Sequence, residues 1–186
     1  MSEELVVLAD AAGNPAGTAL KSEVHTTDTP LHFAFSAWLL DPDSRVLLTR
    51  RALSKKTWPG VWTNSFCGHP GPGEDVPAAI LRRSVEELRL PEGALLDVTP
   101  VLPEFRYRAV DSSGIVEYEI CPVYSARLAP GHEAVDPNPD EVDSWHWADP
   151  ADVVRAADAT PFAFSPWLVE EMEDPRLRAV LERAGR

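Results

Sequence analysis

Residues 68–88 read GHPGPGEDVPAAILRRSVEEL, and they carry the strongest signal for the architecture of this chain. A glycine-bearing loop leads here into a helix with the spacing Gly68-x5-Glu74-x7-Arg82-x3-Glu86-Glu87. Such a loop lets the backbone approach a ligand, and the helix that follows presents carboxylates at one end of a pocket. Carboxylate oxygens suit Mg²⁺, which in turn binds diphosphate oxygens. The stretch therefore predicts a site for a cation and a diphosphate.

The helix of this stretch is predicted to span Glu74–Leu88. Asp75 is the expected N-cap, Pro77 fits the first turn, and Pro91 stops the helix. Four apolar residues fall on one face at helical spacing and predict its buried side: Ala78, Leu81, Val85 and Leu88. The pairs Arg82–Glu86 and Arg83–Glu87 are four residues apart, so surface ion pairing is an alternative role for these charges.

The elements on either side of this helix mix strands with helices. Strands are predicted over Leu5–Ala9, His32–Leu40, Val46–Thr49, Val98–Leu102, Phe105–Val110, Ile115–Leu128 and Ser144–Trp147. Further helices are predicted over Asp149–Ala157 and Pro166–Ala184, and loops over Ala52–Asn64 and Gly131–Asp140. Hairpins among the strands predict an α+β class, with an α/β-type mixed sheet flanked by helices, in a single domain of residues 1–186.

Composition excludes several classes of function. The net charge of −13 argues against nucleic-acid binding, which rests on Lys and Arg at phosphates. The apolar runs are too short to span a membrane, and the acidic start, Met1–Glu4, has no basic region typical of a signal peptide. With only two cysteines, Cys67 and Cys121, a disulfide framework is not expected, and the cytoplasm is the predicted location.

Carboxylates and histidines together predict a metal site. Glu117 and Glu119 are two apart in a predicted strand and so project from the same face, where two like charges would repel. A cation beside them resolves the repulsion, whereas a strand edge facing solvent is the alternative. His25, His32 and His69 supply imidazoles, and this mixture of ligands favours Zn²⁺ or Mn²⁺ over a thiolate site. The other two histidines, His132 and His146, are expected at the surface.

Cys67 lies two residues before His69, next to the glycine loop. A free cysteine is usually a small buried apolar residue, which is the expected role of Cys121. Beside a cation, however, the Cys67 thiol could take part in proton transfer.

Five blocks of sequence resemble the type 1 isopentenyl-diphosphate isomerases, in the order and spacing of that family. They are residues 50–65, RRALSKKTWPGVWTNS; residues 67–70, CGHP; residues 105–108, FRYR; residues 114–119, GIVEYE; and residues 164–167, FSPW. The resemblance runs from about Leu5 to Trp167, and the loop and helix of residues 68–88 are similar to a degenerate Nudix box.

This resemblance implies a Nudix-like fold and the isomerisation of isopentenyl diphosphate to dimethylallyl diphosphate. A proton is added to the alkene and another removed, through a carbocation-like intermediate. The implied acid and base are Cys67 and Glu119, with Tyr107 beside Glu119 and Trp167 along the alkene. Diphosphate binding is implied for Lys21, Arg51, Lys55 and Arg83. A tightly bound metal, Mn²⁺ or Zn²⁺, is implied at His25, His32, His69, Glu117 and Glu119. A second ion, Mg²⁺, is implied at Glu87 and the backbone of Cys67.

Two other readings compete with the isomerase. A Nudix hydrolase of a diphosphate would use the same fold, but Arg83 stands where an acidic residue normally follows the arginine of the box, and hydrolysis does not require the Cys67–Glu119 pair. A binding module that has lost its chemistry would not need Cys67, Glu119 and Trp167 together.

Overall fold

The protein is described here by a computed structural model that covers residues 4–184. The predicted absence of a signal peptide rests mainly on residues 1–3, which lie outside this range. The described strands are β1 Leu5–Ala9, β2 Pro15–Leu20, β3 His32–Phe33, β4 Phe35–Leu40, β5 Val46–Arg51, β6 Trp62–Thr63, β7 Phe66–Gly68, β8 Leu95–Leu102, β9 Arg106–Val110, β10 Val116–Ile120, β11 Val123–Leu128 and β12 Val142–Ala148. The helices are α1 Lys21–Val24, α2 Val76–Leu88, α3 Pro150–Ala159, α4 Pro166–Glu173 and α5 Pro175–Ala184.

These strands form two mixed sheets. The five-stranded sheet has the order β2-β1-β3-β10-β9, and the seven-stranded sheet has the order β12-β5-β4-β11-β8, with β6 on β5 and β7 on β4. Each sheet contains a parallel pair, β3 with β10 in the first and β4 with β11 in the second. The predicted α+β class with a mixed sheet and flanking helices is therefore confirmed.

Two predicted strands are each divided between the sheets. The run His32–Leu40 leaves β3 at Ala34 and continues as β4, and the run Ile115–Leu128 leaves β10 and continues as β11 after Pro122. The two chains cross side by side, because the Ala34 N–H donates to the carbonyl of Ile120 at 2.9 Å. Proline has no N–H to continue a ladder. The prediction of one continuous strand in each run was wrong, and the division opens a gap between the sheets.

Helix α2 begins as predicted. The Asp75 carboxylate accepts a hydrogen bond from the backbone N–H of Ala78 at 2.7 Å, which satisfies one of the free donors of the first turn. The helix ends when Arg89 adopts a left-handed conformation, with φ of 52°, two residues before Pro91. The N-cap at Asp75 and the end of the helix before Pro91 were therefore predicted correctly from the sequence.

The buried face of α2 was predicted wrongly except at Leu88, which is 0% exposed. Leu81 and Val85 are 45% and 42% exposed, and Ala78 is exposed as well. The face that packs on the seven-stranded sheet consists of Ala79, Ile80, Arg83, Ser84, Glu87 and Leu88. Two charged residues lie on this face because they point into a cavity and neutralise each other there.

The C-terminal region packs on the opposite face of the seven-stranded sheet. The predicted helix Pro166–Ala184 is broken into α4 and α5 at Asp174, just before a proline that restricts the preceding backbone. Both helices contribute to one apolar cluster with the sheet, which includes Trp38, Leu168, Met172, Leu177 and Leu181. Within residues 4–184, no helix combines the length and the apolar character needed to cross a membrane.

Candidate active site

A cavity lies between the two sheets, and nearly all of the predicted site residues line it. Twelve of the thirteen line it, and the thirteenth, His32, is fully buried next to it. The five-stranded sheet contributes Tyr107, Glu117 and Glu119, and the seven-stranded sheet contributes Arg51 and Cys67. The crossing of the chains between the sheets therefore brings together residues that lie far apart in the sequence.

Three imidazoles surround one carboxylate at the floor of this cavity. His69 Nε2 lies 3.1 Å from Glu119 Oε1, His32 Nε2 lies 3.3 Å from it, and His25 Nε2 lies 4.0 Å from it. One donor atom from each of the four residues falls within 4.8 Å of the others. His32 is adjacent to Glu119 because the two residues are register partners in the parallel pair of β3 and β10.

The donor atoms of this cluster fit a divalent cation. Among the described residues, His25 Nε2 and His32 Nε2 are buried without a hydrogen-bond partner, so both nitrogens are available to a metal ion. The other ring nitrogen of His32 lies 2.9 Å from the carbonyl of Pro30, which is the kind of contact that orients a ligating imidazole. Burial lowers the pKa of His69 to about 4 despite its contact with Glu119, so this ring is neutral near pH 7. Neutral imidazoles with a carboxylate are ligands of Zn²⁺ and similar ions.

Glu119 is ionised in this setting. Burial opposes its charge, but the surrounding imidazoles of His25, His32 and His69 outweigh burial and hold the pKa of Glu119 well below the ordinary value. Burial also acts against a charge on His32, but the adjacent Glu119 carboxylate raises the pKa of that ring. The cluster is therefore an anionic centre enclosed by imidazoles.

Glu117 shares the face of β10 with Glu119, as predicted, and both are 5% exposed, so neither lies at a solvated strand edge. Its carboxylate is not among the four converging donors. The Tyr107 hydroxyl instead lies 2.7 Å from Glu117 Oε2 and 2.9 Å from Glu119 Oε2, and it bridges the two. Thr57 Oγ1 donates to the other oxygen of Glu117. Burial and the charge of Glu117 raise the pKa of Tyr107 well above its usual value, so the phenol keeps its proton.

Cys67 lies on β7 and lines the same cavity as the histidine cluster. Its Sγ is 3.3 Å from Asn64 Nδ2 and 3.4 Å from Asn64 Oδ1. Burial and the charge of Glu171 raise the pKa of the thiol well above its usual value. Cys121 is also buried but does not line the cavity, which agrees with its predicted role as a small core residue.

Trp167 forms an aromatic wall of the cavity. The indole is 1% exposed and donates from Nε1 to Asn64 Oδ1 at 3.1 Å. Its ring centroid lies 5.6 Å from that of Tyr107 and 5.5 Å from that of Trp58. The Arg51 guanidinium lies 5.3 Å from the ring centroid. An aromatic face in such an enclosed site attracts positive charge.

A group of cations also lines the cavity. Lys21, Arg51, Lys55 and Arg83 all line it, as predicted for diphosphate binding. Burial and the charge of Arg83 lower the pKa of Lys21. Arg83 packs closely on β7, because a Cβ on Gly68 would lie only 2.8 Å from its Cγ. The glycine of the motif therefore makes room for a cation as well as for backbone approach.

Two carboxylates lie among these cations. Arg83 Nη2 donates to Glu87 Oε2 at 2.8 Å and lies 3.3 Å from Glu141 Oε1, while Lys55 pairs with the other oxygen of Glu141. Burial opposes the charge of Glu141, but Arg83 and Lys55 lower its pKa to about 2. Burial raises the pKa of Glu87 in spite of Arg83. The Arg83–Glu87 pair is therefore buried, whereas the Arg82–Glu86 pair, at 3.1 Å, is largely exposed as the alternative reading expected.

Three residues of this region were not predicted: Asn64, Glu141 and Glu171. Asn64 lies within residues 50–65, but the resemblance implies no role for it. Glu141 directly follows the predicted polar loop Gly131–Asp140. Glu171 could have been noticed in the sequence, because it is an acidic residue among the apolar residues of a helix. His132 and His146 lie outside the cavity lining, with His146 exposed on β12.

Comparison with known proteins gives one consistent family by sequence. The NUDIX domain family matches residues 30–168. The isopentenyl-diphosphate Delta-isomerase of Corynebacterium glutamicum is 61% identical over 180 residues, which cover 96% of this chain and 95% of that relative. The protein of the same name from Citrobacter koseri is 50% identical and covers 97% of each chain.

Comparison with solved structures agrees on the fold. The crystal structure of DR0079 from Deinococcus radiodurans superposes with a TM-score of 0.66 at 19% identity, over 98% of this chain and 100% of that one. A Nudix hydrolase from M. smegmatis, RenU, gives a TM-score of 0.56 at 19% identity, over 96% and 94% of the two chains. At this level of identity, the likeness shows the Nudix fold alone.

Proposed function

The chain belongs to the isopentenyl-diphosphate Delta-isomerase family of NUDIX domain proteins, and we propose that its chemistry takes place between Cys67 and Glu119. As a member of this family it is an isomerase that converts isopentenyl diphosphate into dimethylallyl diphosphate. The observation that carries the proposal is that Cys67, on the seven-stranded sheet, and Glu119, on the five-stranded sheet, line one cavity. Two such groups can exchange protons with opposite faces of one substrate.

The reaction needs one proton to be given and one to be taken. A proton added to the terminal alkene carbon leaves positive charge on the tertiary carbon, and loss of a proton from the neighbouring carbon restores the double bond in its new position. Trp167 faces this positive charge with its indole ring, an interaction worth about 2 kcal/mol or more when desolvated. Tyr107 holds Glu119 in place through its hydroxyl at 2.9 Å.

The metal-binding part of the proposal assigns two sites. His25, His32, His69 and Glu119 would hold a Zn²⁺ or Mn²⁺ ion, with Glu117 as a further ligand linked to Glu119 through Tyr107. When bound, such an ion supplies positive charge that favours the ionised form of Glu119. Glu87 and the backbone carbonyl of Cys67 are proposed to hold Mg²⁺ beside the diphosphate, because hard oxygen ligands suit that ion.

The substrate's diphosphate would be bound by Lys21, Arg51, Lys55 and Arg83. This local group of cations allows a protein of net charge −13 to bind an anion, since a few aimed donors matter more than the total charge. Arg83 also weighs against hydrolysis, because it replaces an acidic residue of the Nudix box and pairs with Glu87 at 2.8 Å.

The setting of the enzyme is proposed from its chemistry. We propose one domain for residues 1–186, because two chain segments run from one sheet into the other. A cytoplasmic location is proposed because the site needs a free thiol at Cys67, which a reducing compartment preserves.

Substitution of the two proposed acid–base groups tests the function. We expect Cys67→Ala to lower kcat by about 10²- to 10⁴-fold while isopentenyl diphosphate still binds in calorimetry, because one positioned acid or base contributes on that scale. Glu119→Gln should have a similar effect, and its metal content should be measured alongside because the same carboxylate is a proposed ligand. Cys121→Ala is the matched control, since Cys121 is buried but does not line the cavity. Isomerisation at the wild-type rate by both Cys67→Ala and Glu119→Gln would refute the proposal.

A further inference from the structure

Glu171 on α4 is a buried carboxyl group that the proposed chemistry does not use. It is 0% exposed, and the Trp38 indole donates from Nε1 to Glu171 Oε2 at 2.6 Å. Oε1 has no hydrogen-bond partner among the described residues. Burial raises the pKa of Glu171 to about 8, so the group is a neutral acid near pH 7. A carboxyl group in an apolar core costs free energy, and its presence requires a reason.

The position of Glu171 links it to the aromatic wall of the cavity. Trp167 and Glu171 are four residues apart in α4 and therefore lie on the same helix face, one turn from each other. Trp167 lines the cavity, whereas Glu171 is bonded to Trp38 of β4. The hydrogen bond between Glu171 and Trp38 thus fastens the cavity-facing side of α4 to the seven-stranded sheet.

The same strand leads to Cys67. Ser36 and Trp38 are two apart in β4 and project from one face, and Ser36 is the register partner of Cys67 in the pair of β4 and β7. Asn64 Nδ2 donates to Ser36 Oγ at 2.9 Å and lies 3.3 Å from Cys67 Sγ.

Asn64 closes this network on the other side. Its Oδ1 accepts the hydrogen bond from Trp167 Nε1 at 3.1 Å, so one amide contacts both the thiol and the indole. Glu171, Trp38, Ser36 and Asn64 are all 0% exposed. They form two buried polar groups, Glu171 with Trp38 and Asn64 with Ser36, which strand β4 and helix α4 connect. Buried polar groups of this kind fix the relative positions of the elements that carry them.

We propose that Glu171 is a positioning residue of the isomerase site, which holds α4 on β4 and thereby sets the place of Trp167 relative to Cys67. The inference rests on the roles proposed above for Trp167 and Cys67. Proton transfer depends steeply on geometry, and a misplacement of about 1 Å can cost roughly 10²-fold in rate. The cations that bind the diphosphate lie on other elements, so loss of Glu171 acts on turnover more than on binding.

Two substitutions of Glu171 separate its hydrogen bond from its acidity. Glu171→Leu keeps a side chain of similar size but leaves the Trp38 N–H without an acceptor. We expect its kcat to fall by about tenfold or more, with KM for isopentenyl diphosphate within about twofold of wild type. Glu171→Gln offers an amide oxygen to Trp38, and we expect it to recover most of that loss. Met172→Ala is the matched control, because Met172 is a buried apolar residue of α4 that belongs to the apolar cluster.

A second measurement does not depend on isomerisation. The rate at which iodoacetamide alkylates Cys67, followed by peptide mass, reports the setting of the thiol. The rates are compared near pH 7, where Glu171 is uncharged, so that loss of its charge does not itself alter the thiol. We expect Glu171→Leu to change this rate, and Met172→Ala and Glu171→Gln to leave it close to wild type.

Three results would overturn the inference. They are equal losses of kcat in Glu171→Leu and Met172→Ala at matched thermal stability, a loss in Glu171→Gln as large as in Glu171→Leu, and an alkylation rate that is unchanged in Glu171→Leu. A wild-type protein that does not isomerise the substrate would refute the proposed function instead, and the alkylation rates would still decide the positioning role.

Discussion

At the scale of single residues, the neighbours of a carboxyl group decide its charge in this protein. Burial opposes the charge of Glu141, yet the cations Arg83 and Lys55 outweigh it and lower the pKa to about 2. Glu171 is also buried, but no cation lies beside it among the described residues, and burial raises its pKa to about 8. Near pH 7, Glu141 is therefore an anion beside two cations of the cavity, and Glu171 is a neutral acid one helix turn from Trp167.

The raised pKa of Glu171 predicts a dependence of stability on pH. The folded protein holds this proton up to about pH 8, whereas the unfolded chain releases it near the ordinary value of 4.5. The folded state thus binds the extra proton between these two values, so its stability falls as pH rises through that window. Glu171→Gln has no proton to lose, and we expect its advantage over wild type to grow by up to about 1.4 kcal/mol per pH unit there.

Denaturant unfolding of both proteins at several values between pH 5 and pH 8 measures this difference directly. Glu173→Gln, two residues later in the same helix but exposed, is a suitable control. A constant difference between wild type and Glu171→Gln across the window would contradict a raised pKa at this position.

Several site residues could be proposed from the sequence because their chemistry is tied to local motifs. Cys67 and His69 stand beside the glycine loop, and the same-face spacing of Glu117 and Glu119 needs only the period of a strand. Glu141 could not be found in this way, because its partners Lys55 and Arg83 are far from it in the sequence and meet it only through the fold.

At the scale of elements, α2 shows how charge can replace apolar character on a buried face. The apolar spacing of Leu81 and Val85 predicted the wrong face, because hydrophobic periodicity cannot anticipate that a cavity accepts Arg83 and Glu87. The N-cap was predicted correctly, since it depends on the side chain of Asp75 and its own helix. By contrast, the division of a strand at Ala34 depends on which sheet the chain joins next, whereas the helix break at Asp174 follows from the proline after it.

Substitution on the two faces of α2 tests this assignment. Ile80 is 0% exposed, and Leu81 is 45% exposed. We expect Ile80→Ala to lower the free energy of unfolding by about 2–5 kcal/mol, because it leaves a cavity in the core. Leu81→Ala should change it by less than about 1 kcal/mol, since a surface substitution away from special features has little effect. Chemical denaturation compares the two variants, and the opposite order of effects would restore the face predicted from the sequence.

At the scale of the whole molecule, the division of two chain segments between two sheets creates the site. The sequence predicts strands and mixed pairing, but two parallel pairs that cross together from one sheet to the other arise from long-range contacts. Cys67 and Glu119 line the resulting cavity from different sheets, and four cations proposed to bind the diphosphate line it as well. The net charge of −13 describes the whole chain and does not prevent this local concentration of cations.

The central claim is isomerisation by proton addition and removal, and proton NMR tests it most directly. Purified, metal-loaded protein would be incubated with isopentenyl diphosphate and Mg²⁺ in D₂O. We expect the signals of dimethylallyl diphosphate to appear with deuterium incorporated from the solvent, because one hydrogen is added and another removed in each turnover. Release of inorganic phosphate or pyrophosphate, or no change in the substrate signals while the metal is shown to be bound, would contradict the claim.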